Sequence, residues 1–216
     1  MAIDVPGFGE SPPLAGEPTV VALAEAIADF ARAELGGEPI DVGGHSMGGQ
    51  IALELAKLGV ARRVVAVAPV GFWTPLEAAY SKSVLRFTAW MARSHGALLK
   101  AGFARPRSRV LLLANQFAHP ARIPAAPLQH MADVLAGAPG WDATLEAMHA
   151  GRFEDGDRVG VPTTIVWGNR DGLLLPPQAR RAAAAIPGAE LVWVRPGAHF
   201  AHWDDPDLTI RALLGR

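Results

Sequence analysis

Two spacings of apolar residues alternate along the first part of the chain. Residues 19–35 carry apolar side chains three and four positions apart after a candidate N-cap, Thr19, and two glycines follow them. This spacing is typical of an amphipathic helix. Residues 39–42 form a short strand candidate that leads into a glycine-dense stretch, and helical spacing returns over residues 51–58. The pattern predicts a helix, a strand, a tight turn and a second helix.

A similar alternation returns later in the chain. Residues 63–68 are a continuous apolar run of strand length, which suits a strand covered on both faces, as in a parallel sheet. The remaining candidates are a strand at 163–167, a helix at 177–186, a strand at 190–194 and a helix at 206–214. Strands that alternate with helices predict an α/β fold with a mostly parallel sheet and helices on both faces.

Residues 71–160 interrupt this alternation. They are rich in Trp, Phe, Met and Leu and have no clear β-branched runs, so we interpret them as a helical insertion. The expected organisation is therefore a core formed by residues 1–70 and 161–216, into which residues 71–160 are inserted.

Composition narrows the classes of function. The 216 residues include 20 Lys and Arg against 21 Asp and Glu, a net charge of −1 that gives no basic excess for binding nucleic acid. The longest uncharged stretches, 64–76 and 110–121, are shorter than the ~20 residues that cross a bilayer. Residues 1–9 lack the basic start and apolar run of a signal peptide. The absence of cysteine excludes disulfides and thiolate chemistry and favours a cytoplasmic location.

A candidate nucleophile lies in the glycine-dense stretch. Residues 44–48 read G-x-S-x-G with Ser46 at the centre, after a strand candidate and before a helix candidate. In that context the serine can occupy a strained turn with its hydroxyl exposed. The alternative is a glycine-rich turn with an incidental serine.

A serine hydroxyl needs a base to take its proton and an acid to orient the base. His199 follows the last strand candidate, at the sheet edge where α/β folds gather ligands, and His202 is the alternative three residues on. Asp171 follows the strand candidate 163–167 at the same edge, although an Asp-Gly pair is also a common turn former. Residues 69–75 contain no acid that could replace it. The order Ser46, Asp171, His199 matches that of one hydrolase fold.

Four motifs together resemble the α/β-hydrolase superfamily, in particular its serine-nucleophile, cap-bearing, esterase-like members. The matching segments are the D-x-P-G-x-G-x-S turn at 4–11, the nucleophile elbow at 44–49, the acid loop at 167–171 and the histidine loop with its trailing W-D-D-P at 197–206. The resemblance implies hydrolysis of carboxylic esters of small apolar substrates without cofactor or metal, and identifies residues 71–160 as a cap. Epoxide and haloalkane hydrolases of this fold use an aspartate nucleophile, so Ser46 argues against both, whereas amidase, C–C hydrolase and perhydrolase chemistry stay compatible.

The resemblance also suggests which residues contact the substrate. His45 and Phe200 are next to the nucleophile and the base, and Trp73 lies at the start of the cap, so we expect these three to line the substrate site. Further candidates, each of which would equally fit an ordinary core, are Tyr80, Phe87, Trp90, Met91 and Phe117.

One departure from the family concerns the oxyanion hole. The backbone N–H of Met47, which follows the nucleophile, is the expected donor, while the second donor of the family lies on an H-G loop ahead of the D-x-P-G turn, and the sequence starts at that turn. An alternative hypothesis is therefore a truncated, inactive α/β-hydrolase fragment. Without the strands that precede this turn in the family, residues 38–42 would form a sheet edge, and we expect feeble activity and self-association through it.

Overall fold

The computed structural model describes residues 1–215, in which four strands form one parallel sheet. The strands, in chain order and in their order across the sheet, are β1 Ile40–His45, β2 Ala61–Val67, β3 Thr163–Gly168 and β4 Glu190–Val194. All three neighbouring pairs are parallel. The carboxyl ends of the strands therefore meet at one edge of the sheet, where the loops that follow them can combine their side chains.

Helices account for most of the rest of the described chain. They are α1 Val20–Glu34, α2 Met47–Lys57, α3 Pro75–Phe103, α4 Pro106–Leu113, α5 Ala125–Gly137, α6 Trp141–Ala150, α7 Pro177–Ala185, α8 Ala201–Asp204 and α9 Pro206–Leu214. Short 3₁₀ turns occupy Pro120–Arg122 and Gly156–Arg158. The predicted α/β fold is confirmed, with every predicted strand and helix present to within a few residues.

Local chemistry accounts for the ends of α1. The hydroxyl of Thr19 accepts a hydrogen bond from the backbone N–H of Ala22, which satisfies one of the first-turn donors that a helix leaves unpaired. Leu23 and Ile27 of this helix are buried at the spacing that the sequence indicated. Gly36 and Gly37 both adopt positive φ and end the helix.

The sheet is packed on both faces. Val64 and Ile165 belong to a core that α1 and α2 complete on one face. Val65 and Val166, one position along in β2 and β3, belong to a second cluster with Ala201 and residues of α9 on the other face. Successive side chains of a strand point to opposite faces, so an apolar run that lacks alternation is what a doubly covered strand requires.

Helices α3 to α6 lie between β2 and β3 in the chain, as the insertion predicts. They enclose a small apolar cluster of their own, which includes Phe103, Phe117 and Leu128. We propose residues 71–160 as a cap over the core formed by residues 1–70 and 161–216.

Strand β1 is an edge of the sheet, because its single partner is β2. A groove of about 350 Å³ runs beside it, with apolar walls that include Ile27, Ile51 and Leu55. Self-association through this edge stays a prediction. Within residues 1–215, no helix is both long enough and apolar enough to cross a membrane.

Candidate active site

Ser46 occupies the turn between β1 and α2 in a strained conformation. Its φ of 56° and ψ of −117° lie outside the regions that a residue with a side chain normally adopts. Two backbone hydrogen bonds hold the turn: the N–H of Ser46 donates to the carbonyl of Val67 over 2.8 Å, and its carbonyl accepts from the N–H of Gly49 over 3.0 Å. Strain of this kind persists where the surrounding structure imposes it, often at functional sites.

Steric contacts explain only part of the glycine pattern. A Cβ on Gly44 would lie 2.0 Å from the carbonyl oxygen of Gly48, and one on Gly49 would lie 3.1 Å from the Cα of Pro69. A Cβ on Gly48, by contrast, would have no non-local neighbour within 4 Å among the described residues. The turn therefore excludes a side chain at Gly44, whereas Gly48 leaves open space.

The three residues that the sequence nominated for a triad lie together. Nε2 of His199 is 3.2 Å from Oγ of Ser46, and Nδ1 of His199 is 3.0 Å from Oδ2 of Asp171. Both His199 and Asp171 are buried, each about 2% exposed. The other carboxylate oxygen of Asp171 accepts the backbone N–H groups of Leu173 and Leu174 over 2.9 and 2.8 Å. Both oxygens of this buried carboxylate therefore have hydrogen-bond partners, as a buried charge requires.

Neighbouring strands position the acid and the base. Strands β3 and β4 pair along their length, so the loops after them are adjacent. The N–H of Arg170 donates to the carbonyl of Gly197 over 2.7 Å, and the N–H of Gly197 donates to the side-chain oxygen of Asn169 over 3.2 Å. A Cβ on Gly168 would lie 2.1 Å from the carbonyl oxygen of Ala198, so the close approach of the loops requires glycine there.

Asp204 attaches the histidine loop to the insertion, a contact that the sequence did not reveal. Its carboxylate accepts the N–H of Ala198 over 2.8 Å and the N–H groups of Ala118 and His119 over 3.0 and 3.3 Å. Residues 115–119 are called here the bridge segment. Its Gln116 carbonyl also accepts the N–H of Phe200 over 2.9 Å, next to the candidate base. The insertion is thus bonded directly to the loop that carries His199.

The bridge segment also contacts the acid loop, because the N–H of Gly172 donates to the carbonyl of Asn115 over 3.0 Å. A Cβ on Gly172 would lie 2.9 Å from that carbonyl oxygen. The segment therefore lies against both of the loops that hold the acid and the base.

Three histidine rings form a cluster beside the candidate nucleophile. Nε2 of His45 lies 3.0 Å from the carbonyl oxygen of His199, so His45 donates from Nε2, and its ring is 4.6 Å from the His199 ring and 4.7 Å from the His202 ring. Burial, together with positive charge on the neighbouring rings, holds the pKa of His45 well below its usual range. The same two causes lower the pKa of His202 to about 4. His199, and not His202, lies between Ser46 and Asp171.

We expect this cluster to make the protein sensitive to acid. A histidine whose pKa is lowered in the folded state binds a proton more readily when the chain is unfolded, so stability is lost as pH falls from about 6.5 towards 4. The unfolding free energy should fall in this window by up to ~1.4 kcal/mol per pH unit for each such histidine. Urea unfolding of the wild type and of His202→Gln at pH 7, 6 and 5 measures this, and the variant should show the shallower dependence. Equal slopes would contradict the assignment.

Ser46 and His199 open onto a cavity of about 450 Å³. His45, Met47 and Phe200 are among the residues that line it. Other lining residues, which the sequence did not indicate, are Ile3, Val5, Phe8, Leu85, Gln116, Trp141, Leu145, Met148 and Leu173. They come from residues 1–9, the insertion and the segment that follows the acid loop. Val5 and Phe8 lie within the motif at residues 4–11, and no motif marks the others.

Trp73 is not part of this cavity, which corrects the expectation that it contacts substrate. It is about 1% exposed and stacks on the ring of His149 at 4.7 Å, so it packs in the core. Phe117 is also buried and stacks on Phe200, whereas Phe87 and Trp90 are exposed. Through this stacking, Phe117 contacts a residue that lines the cavity.

Met47 is the first residue of α2 and lines the same cavity. The N–H groups of a first helical turn have no acceptor within the helix, and they carry the positive end of the helix dipole. This N–H is therefore suited to bind a negatively charged oxygen.

A second serine–histidine pair lies in the insertion. Oγ of Ser81 is 3.0 Å from Nε2 of His149, whose Nδ1 donates to the carbonyl of Leu145 over 2.9 Å. Ser81 is fully buried and does not line the cavity onto which Ser46 opens. A carbonyl orients this histidine in place of a carboxylate, and no substrate can reach the hydroxyl. The pair is a packing contact.

Residues 1–212 match the alpha/beta hydrolase family along nearly the whole chain. The protein belongs to this family. The family and fold that the four sequence motifs predicted are thereby confirmed for this α/β hydrolase.

Two proteins that are similar in sequence to this α/β hydrolase carry names for different activities, an acetyltransferase component and an epoxide hydrolase. It is 29% identical over 220 residues to the dihydrolipoyllysine-residue acetyltransferase component of the acetoin cleaving system of Cupriavidus necator, an alignment that covers 94% of this chain and 52% of that protein. The chain thus spans about half the length of that relative. It is 27% identical over 179 residues to epoxide hydrolase EphH of Mycobacterium tuberculosis, which covers 80% of this chain and 83% of that protein.

Solved structures share the fold of this α/β hydrolase. A hydrolase from Pseudomonas aeruginosa superposes with a TM-score of 0.73 at 22% identity, over 99% of this chain and 78% of that one. The enol-lactonase of Burkholderia xenovorans gives 0.73 at 23% identity, over 99% and 79%. A thermophilic esterase from Thermogutta terrifontis gives 0.72 at 19%, over 98% and 76%. At these identities the likeness establishes the fold alone.

Proposed function

We propose that this α/β hydrolase is a serine hydrolase that cleaves carboxylic esters of small apolar substrates through an acyl-enzyme on Ser46. The observation that carries this proposal is the pair of contacts of His199, 3.2 Å from the Ser46 hydroxyl and 3.0 Å from the Asp171 carboxylate, at the wall of a cavity. The sequence supports a cytoplasmic location for this activity, since the chain has no cysteine.

The contacts support a role for each of the three residues in this proposal. Asp171 accepts a hydrogen bond from the Nδ1–H group of His199. This fixes the tautomer in which Nε2 of the neutral ring is free to take the proton of Ser46. Oγ of Ser46 then attacks the carbonyl carbon of the ester, and His199 returns the proton to the leaving alcohol. Water, deprotonated by His199, attacks the acyl-enzyme, and the carboxylic acid leaves as Ser46 regains its proton.

In this mechanism the backbone N–H of Met47 stabilises the negative charge that develops during the attack. The attack places this charge on the carbonyl oxygen of the substrate, next to the first turn of α2. A single hydrogen-bond donor to such an oxygen is worth roughly 10²- to 10³-fold in turnover. The backbone N–H of Met47, in the first turn of α2, is the donor in this proposal.

The lining of the cavity favours neutral, apolar esters. Apart from the histidines, Asp4 is the one ionisable side chain among its walls, and no lysine or arginine of the described residues lines it. An anionic substrate would therefore enter without a cationic partner, which is costly in an apolar site. Leu85, Leu145 and Met148 provide apolar contact area instead.

The similarity to EphH does not transfer its activity to this chain. Resemblance to the epoxide hydrolases of this fold implies an aspartate nucleophile, and Ser46 stands at that place here. A serine forms an ester with an acyl group, which the water of the second step can hydrolyse.

Two measurements on the wild-type chain test the proposal. A fluorophosphonate probe should form its adduct on the peptide that contains Ser46, and p-nitrophenyl esters of short acids should be hydrolysed with saturation. An adduct elsewhere would contradict the nucleophile. Labelling of Ser46 without turnover of any ester would favour amide, C–C bond or perhydrolase chemistry, and absence of both would favour the inactive-fragment hypothesis.

A further inference from the structure

A second cavity of about 210 Å³ lies inside the insertion, beside the cavity that contains Ser46. Four residues line both cavities: Leu85, Gln116, Trp141 and Phe200. Phe200 follows the candidate base directly in the chain. The two cavities therefore share a wall within reach of the reacting centre.

The second cavity is apolar. Helix α3 contributes Ala92 and Leu99 to its walls, and α5 contributes Leu128 and Ala132. The hydroxyl of Thr88 already donates to the carbonyl of Val84 over 2.9 Å, and the other polar groups, the amide of Gln116 and the indole N–H of Trp141, belong to residues that line the first cavity as well. The walls thus offer little to bind water and much to bind hydrocarbon.

The volume of this cavity sets a limit on what it can hold. An engineered apolar cavity of ~150 Å³ lined by Leu, Ile and Phe stays dry and binds benzene. At about 210 Å³ the second cavity has room for one aromatic ring or an alkyl chain of comparable bulk, roughly six carbons.

We infer that the second cavity binds an apolar arm of the ester, a ring or a chain of roughly six carbons, while the ester carbonyl lies at Ser46. This inference rests on the proposed ester hydrolysis and adds the substrate class: esters with one extended hydrocarbon arm. To reach the second cavity, the arm passes between the bridge segment and α3. There it contacts the residues that line both cavities, Leu85, Gln116, Trp141 and Phe200.

Two series of esters distinguish which arm the cavity takes. p-Nitrophenyl alkanoates lengthen the acyl side, and alkyl acetates lengthen the alcohol side. In the series that fills the second cavity, kcat/KM should rise about fourfold per methylene, the gain expected for burying each CH₂, and should stop rising at about six carbons. A maximum at acetate or propionate in the first series, together with a maximum at methyl or ethyl acetate in the second, would overturn the inference.

Two substitutions within α5 should move the limit on the length of the ester arm in opposite directions. Ala132→Leu fills the cavity. In the ester series that fills the second cavity, it should lower the ratio of kcat/KM for the six-carbon arm to kcat/KM for the shortest arm by about tenfold or more, because it displaces roughly three methylene equivalents. Met131→Ala enlarges the cavity and should shift the longest favourable chain upwards. Matched controls are Ala136→Leu on α5 and exposed Leu98→Ala on α3, which line neither cavity and should keep the wild-type ratio. Opposite shifts of the limit cannot arise from a general loss of folding.

A binding measurement separates failure of this inference from failure of the proposed function. In Ser46→Ala, which cannot form an acyl-enzyme, toluene should raise the melting temperature, and adding Ala132→Leu should abolish the increase while Ala136→Leu retains it. If toluene behaves in this way and the wild type cleaves no ester, the cavity stands as a hydrocarbon site and ester hydrolysis falls. If esters are cleaved without a chain-length limit and toluene has no effect, the second cavity is not a subsite.

Discussion

Replacing Ser46 with alanine is expected to lower kcat/KM for any ester that the protein cleaves by about 10⁴-fold or more, the scale seen when a triad member is removed. The loss arises because no other hydroxyl lies both at the cavity wall and beside a histidine among residues 1–215. The backbone of the turn should keep its shape, since its hydrogen bonds to Val67 and Gly49 do not involve the side chain.

Ser81→Ala is the matched control for this variant. Its hydroxyl lies 3.0 Å from a histidine nitrogen, yet Ser81 is fully buried and does not line the cavity at Ser46. We expect this variant to retain wild-type kcat/KM and fluorophosphonate labelling, with some loss of thermal stability because the Nε2 of His149 loses its partner. If Ser81→Ala lost labelling while Ser46→Ala kept it, the roles of the two pairs would be reversed.

His199→Ala and Asp171→Asn should each reduce turnover by roughly 10⁴-fold, and His202→Ala by less than tenfold. The asparagine case follows from the local contacts. Because one oxygen of Asp171 accepts the N–H groups of Leu173 and Leu174, the carbonyl oxygen of an asparagine would take that place and its NH₂ would face Nδ1 of His199. That donor would force the proton onto Nε2, where it blocks transfer from Ser46.

Initial rates on one ester across pH 5–9, with circular dichroism to confirm folding, measure these effects. Turnover retained in His199→Ala but lost in His202→Ala would assign the base to His202, and the distances to Ser46 and Asp171 would then describe a resting arrangement only.

The elements of the sheet were predictable because their signals are local. The buried run at residues 63–68 and the cap at Thr19 follow from side-chain period and hydrogen bonding within a few residues, and both are present. Strand β1 extends to His45, beyond the predicted end at residue 42, because pairing with β2 continues through two glycines that have no strand preference of their own. Tertiary pairing, which the sequence does not display, decided that boundary.

The candidate triad was predictable for a related reason. Parallel strands bring their carboxyl ends together, so a serine, an acid and a histidine after different strands converge once the order of the strands is known. No comparable rule predicts from the sequence which residues line the cavity. Leu85 and Trp141 reach it through the mutual packing of α3 and α6, while Trp73 turns away to stack on a histidine 76 positions later.

The attachment of the bridge segment to Asp204 also limits how the insertion could be exchanged by engineering. A chimera that replaced residues 71–160 with foreign helices would remove two of the three N–H groups that bind this carboxylate and the carbonyl that binds Phe200. The chimera would keep the sheet but would lose the hydrogen bonds that attach the histidine loop to the insertion. A graft that conserves geometry therefore needs junctions on both sides of residues 115–119, with residues other than proline at positions 118 and 119, since proline has no N–H to donate.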